Sequence, residues 1–230
     1  MVDFKKIDRY LILKIINNMM KKLIFSLGLV GMSICSYAQS AAYKSTMQGL
    51  IIKMGAAQTA ESFLPVQNGF ERIASTETKE WLPKYYSAYS AIMQAMLLTD
   101  KSLVDGLLDK ADESLNQAML INSNDELMVL QALSKSTRIG VDPMSRGMKF
   151  GIESAKLLEQ AKKINPENPR IYFLQAQSAF YTPEAFGGGK AKAKELFSTS
   201  IQKYDSFKTS NDLMPNWGAA QAKEMLEKCK

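Results

Sequence analysis

The sequence predicts an all-α protein: a stack of about four helical hairpins closed by a C-terminal helix. Three observations carry that prediction. Apolar residues recur at helical rather than alternating spacing along nearly the whole chain, with few β-branched runs. A small, large, small pattern returns three times, as Ala111, Leu115, Ala118, then Ser154, Leu158, Ala161, then Ala193, Phe197, Ser200, each set on one helical face. Small residues there let a neighbouring helix approach closely while the central Leu or Phe fills the gap. Turn residues then separate the periodic segments at regular intervals.

Taken in order, helices are expected over 41–57, 64–75, 80–98, 102–121, 125–138, 143–164, 169–181, 190–207 and 216–228. Pro65 either starts the second helix or kinks it. Asn122, Ser123 and Asn124 supply capping side chains ahead of the fifth. The run Asn165-Pro166-Glu167-Asn168-Pro169 stops the sixth and places a proline in the first turn of the seventh. Gly187 to Gly189 open the eighth, Trp217 closes the last hairpin, and the ninth helix caps the stack.

The register fits tetratricopeptide (TPR) repeats of about 34 residues. With Ala88, Ala132 and Ala176 as the small residues of successive first helices, the steps from one hairpin to the next are 22, 21 and 22 residues (Val66 to Ala88, Ala111 to Ala132, Ser154 to Ala176). The repeat expects about 22. Within hairpins the steps are 23, 22 and 17 residues where the repeat expects about 12, so the surplus lies at the solvated tips, around 99–105, 139–146 and 182–190, or in extra helical turns.

The first 38 residues read as a signal peptide behind an upstream extension. From Met20 there is a short basic region (Lys21, Lys22), an apolar run from Leu23 to Ile34 and a Ser36-Tyr37-Ala38 ending, which predicts cleavage before Gln39 and makes Met20 the expected start. The mature domain is then 39–230, exported to the periplasm or beyond. Ile34 before Cys35 argues against a lipidation site. The run is shorter than the roughly 20 residues of a spanning helix, so no membrane span is expected after cleavage. Residues 1–38 hold six Lys/Arg and two Asp/Glu, so only +2 of the formal +6 charge stays with the mature chain. That balance gives no electrostatic case for nucleic acid.

Chemistry is sparse. The chain has no histidine, which removes the commonest general base, Ser-His and Cys-His pairs and the usual zinc sites. No catalytic residue, metal or cofactor is expected. Asp105, Asp109, Asp112 and Glu113 read as a solvated helix face. Gly187-Gly188-Gly189-Lys190 lacks the glycine and hydroxyl of a phosphate loop, since Glu184 and Ala191 stand there, leaving a weak anion loop or a flexible tip. Aromatics are the better lead: Tyr85, Tyr89, Phe173 and Phe180, with Leu133 and Gln177, fall on the concave face of the first helices and suit an extended peptide or amphipathic helix.

From Pro143 to Cys229 the strings Pro143-Met144-Ser145-Arg146-Gly147, Asn165-Pro166-Glu167-Asn168-Pro169-Arg170-Ile171-Tyr172-Phe173-Leu174, Phe180-Tyr181-Thr182-Pro183-Glu184-Ala185-Phe186-Gly187-Gly188-Gly189-Lys190 and Met214-Pro215-Asn216-Trp217-Gly218 resemble secreted TPR-like proteins of the Gram-negative envelope, a group of unassigned activity. The resemblance implies an envelope location and a binding scaffold rather than an enzyme. Tyr85, Tyr89, Val129, Leu133, Phe173 and Gln177 stand where chaperone-binding TPR proteins carry a Lys and Asn clamp, so terminal-carboxylate recognition is not expected. The function expected is therefore protein or peptide binding through the concave aromatic surface. The alternative is binding of a small ligand or glycan by the enlarged hairpin tips.

Overall fold

Capping side chains set four of the helix starts. In the computed structural model, which describes residues 41–230, Asn124 accepts from the N–H of Leu127 at the head of α5 (Asp125–Ile139). Asp142 accepts from Ser145 at the head of α6 (Pro143–Ile164), and Asn168 from Arg170 at the head of α7 (Pro169–Tyr181). The proline at the first position of α6 and of α7 has no N–H to leave unpaired there. Thr59 and Ser62 form a reciprocal capping box that starts α2 (Ala60–Thr76) four residues before the expected Leu64. Pro65 therefore lies inside the helix instead of starting it. The remaining helices are α1 (41–56), α3 (Leu82–Leu97), α4 (Val104–Ile121), α8 (Lys190–Ser206) and α9 (Ala219–Glu227).

Met47–Lys230 form one compact unit. Within it α3 pairs with α4, α5 with α6 and α7 with α8, while α3 touches α5 and α5 touches α7. The first helices of the three hairpins thus make one layer and the second helices another; α2 packs on α3, and α9 packs on α8 at the far end. All nine residues of the small, large, small pattern are buried, five per cent exposed at most. Among the described residues all regular structure is helical, as the periodicity requires. The expected signal segment, with Cys35 and the cleavage point before Gln39, lies outside the described residues.

The hairpin tips differ from expectation at one place. Between α3 and α4 a 3-10 turn at Lys101–Leu103 fills the tip, and Thr182 to Gly189 with a second 3-10 turn at Glu184–Phe186 fills the third. At the second, only three residues separate α5 from α6, so the surplus is helix rather than loop. Asp142 and Pro143 are the reason, since cap and first-turn proline start the helix immediately. The 22-residue α6 buries only Ser154, Leu158 and Ala161, all in its second half. Its first three turns bury no residue fully.

Candidate functional site

The concave aromatic face exists, and the chain itself occupies it. Residues 207–218, between α8 and α9, cross the layer of first helices. Tyr86 donates to the carbonyl of Leu213 at 2.7 Å. Trp217 stacks on Tyr89 with centroids 5.1 Å apart and 25° between the planes, meets Phe173 edge-on at 6.3 Å, and donates from Nε1 to the Tyr85 hydroxyl at 2.8 Å. Its carbonyl accepts from Tyr204 at 2.9 Å. Gly218 makes the turn into α9 with φ at 106°, and a Cβ there would lie 2.1 Å from the Tyr204 oxygen, so only glycine fits.

This corrects the sequence-based site. Tyr85, Tyr89, Leu133 and Phe173 are buried, Gln177 and Phe180 half-buried. Trp217 does more than close the last hairpin: it reaches α3. Burial pushes the Tyr85 hydroxyl well above its ordinary pKa, with the nearby Glu126 carboxylate adding to the effect. Trp217 covers Tyr85, Tyr89 and Phe173, so those three are not open to a peptide while it lies there.

Beneath Trp217 sits a buried ion pair. Arg170, the second residue of α7, donates from Nε to Glu126 at 2.9 Å and again from Nη2. Glu126, the second residue of α5, also accepts from the Asn168 amide at 2.9 Å. The guanidinium lies 5.1 Å from the Phe207 ring centre and 5.8 Å from that of Trp217. Burial pushes the Glu126 carboxyl above its ordinary pKa, and Arg170 pulls it back part of the way. The pair is fully partnered and joins two adjacent hairpins, which is a structural role.

The weak anion loop is closed for a similar reason. The N–H of Gly187 donates to Glu184, that of Gly188 to Pro183, and that of Gly189 to Ala179 and Thr182. Gly187 and Gly189 take positive φ, as a tight tip demands. No amide of Gly187, Gly188 or Gly189 is left for an anion, and Lys190 lies 5.9 Å from the Phe180 ring centre.

The exposed surface tells more. Eight of the twelve large hydrophobics exposed among the described residues lie along the hairpin-tip edge: Met96, Leu97 and Leu103 at the first tip, Met144, Met148 and Ile152 at the second, and Tyr181 and Phe186 at the third. Such residues scatter singly on most surfaces. Here they gather on one edge.

An open cleft of ≈ 450 Å³ lies beside the second tip, lined by Asp105, Asp109, Arg138, Ser145, Arg146, Lys149 and Phe150. Here the acidic face of α4 is engaged in ion pairs rather than solvated alone. Arg146 grips Asp105 through two bonds of 2.8 Å, and Arg138 reaches Asp105, Asp109 and Asp112 at 3.2, 2.7 and 3.1 Å. The hydrogen bonds from Arg146 hold the Asp105 carboxyl below its ordinary pKa. This network ties the first turns of α6 to α4 and α5. Among the described residues no His, Cys, Asp and Glu group of three or more could hold a metal ion, and no helix is long and apolar enough to cross a membrane.

Fold and surface together define an all-α helical-hairpin protein with an apolar tip edge. No family model matches the chain, and no curated protein matches it by sequence. Among solved structures, it is similar to the HusA haemophore from Porphyromonas gingivalis, at 35% identity and a TM-score of 0.76, over 84% of this chain and 94% of that one. The chain belongs to the family of that haemophore.

Proposed function

We propose that the protein is a non-enzymatic carrier of haem, exported from the cell, that holds its cargo at the hairpin-tip edge. Kinship supplies the ligand class, because the relative's name denotes a haem carrier. The observation that carries the location is the gathering of exposed apolar side chains on one edge, eight of twelve. Haem is a flat apolar macrocycle with two carboxylates, and it asks for an apolar surface with cations beside it. The peptide reading is set aside because Trp217 covers Tyr85, Tyr89 and Phe173 on the concave face that would serve it. The small-ligand alternative, at the tips, takes its place.

Haemin titration of the mature protein tests this directly. A saturable change in the haem absorbance spectrum at one equivalent per chain is expected, retained at high salt because most of the contact is apolar. Linear, non-saturating absorbance would contradict it.

A further inference from the structure

We propose that Met144 and Met148 of α6, with Met96 at the end of α3, form a redox modification site: a hydroperoxide converts them to sulfoxides, and the oxidised edge releases its apolar cargo. The inference rests on the haem-carrier reading and adds a means of regulation to its site.

Burial sorts the sulfur of this protein into two classes. Ten methionines lie among the described residues and three of them are exposed: Met144 at 95%, Met148 at 81% and Met96 at 47%. All three stand on the hairpin-tip edge, at the first and second tips. Met47, Met54 and Met225 are buried, and the other four are half-buried. Cys229, the one thiol among the described residues, is buried too, and its Sγ donates to the carbonyl of Met225 at 3.3 Å. Burial also pushes that thiol up in pKa, which leaves little thiolate to react. A peroxide arriving from solvent therefore meets thioether first, and meets it on one edge.

Packing does not account for methionine there. Inside a core its flexible thioether fills irregular gaps, but side chains as exposed as Met144 and Met148 have no gap to fill. Leucine would supply similar apolar area and, like Leu97, Leu103 and Ile152 on the same edge, would be inert to a hydroperoxide. What methionine adds is reactivity. The sulfur lone pair attacks one peroxide oxygen and an S–O bond forms as the O–O bond breaks. The proton of that oxygen passes to the departing one, which leaves as water or an alcohol. Sulfur loses two electrons and the peroxide gains them. The product is a polar sulfoxide, and enzymatic reduction returns it to thioether, so the change is reversible. Laid against haem, the sulfoxide oxygen would lose its water without gaining a hydrogen-bond donor, a cost that an apolar contact does not offset.

Hydrogen peroxide treatment of the mature protein, read by peptide mass spectrometry and by haemin titration, tests the proposal. Met144 and Met148 gain one oxygen first and Met96 next, while Met47, Met54, Met225 and Cys229 stay unmodified. Haemin then binds about tenfold more weakly, with the melting temperature unchanged, and methionine sulfoxide reductase restores the affinity. The triple variant Met96→Leu, Met144→Leu, Met148→Leu loses the response: whatever haemin affinity it starts with, peroxide leaves it the same. Oxidation of the buried sulfurs ahead of the exposed ones overturns the site, and selective oxidation with unchanged haemin affinity overturns the switch. If the untreated protein fails to bind haemin, the carrier reading falls and the switch with it, while the order of oxidation is still decided by mass.

Discussion

Arg170→Met lowers stability by about 3–5 kcal/mol at neutral pH, because it strands the Glu126 carboxylate in the interior. The geometry makes this change costly: Glu126 keeps only the Asn168 amide once its two bonds from Arg170 are gone. The loss is pH-dependent in a defined sense. Burial already raises the Glu126 pKa, and removing the cation raises it further. Between the unfolded and folded pKa values the native state binds the extra proton, so stability falls as pH rises through the folded pKa. The variant is thus relieved by acid and worst above neutrality, relative to wild type at each pH. Adding Glu126→Gln recovers much of the loss, since the amide still accepts from Asn168 and carries no charge. Urea unfolding at several pH values reads all three; a deficit that stays constant with pH would sink the explanation.

Trp217→Ala costs about 3 kcal/mol, near the lower end for removing a large aromatic because the ring is only partly buried. It removes the stack on Tyr89 and the donor to the Tyr85 hydroxyl, and it exposes the apolar faces of Tyr89 and Phe173. For a domain of this size the melting temperature falls by about 2–4 °C per kcal/mol. Thermal unfolding followed by circular dichroism checks it. A shift under about 2 °C would mean that residues 207–218 rest on the groove without stabilising it.

Local chemistry explains why the helices were legible and the groove was not. Asp142 with Pro143 and Asn168 with Pro169 are short-range signals, and the expected bounds of α6 and α7 coincide with the structure. The small, large, small spacing also survives translation into burial, because a packed helix face repeats in sequence. Trp217 meeting Tyr85 across 132 residues has no periodic trace. The same aromatics that suggested an open surface were covered by a segment whose extended path no propensity announces. Arg138 and Arg146 pairing with Asp105 is equally non-local. Met144, Met148 and Ile152 stand at four-residue steps in the sequence, but only the packing of α6 on α5 shows that this face is the exposed one.

The central claim is that haem is held at the hairpin-tip edge. Methyl-labelled methionine resonances of the whole mature protein, followed while ferric haemin is added, test it most directly, since a paramagnetic iron broadens the methyls nearest to it. The account predicts that the Met144 and Met148 signals vanish at one equivalent while those of the buried Met47, Met54 and Met225 persist. Loss of the core methionine signals with Met144 and Met148 intact would contradict it.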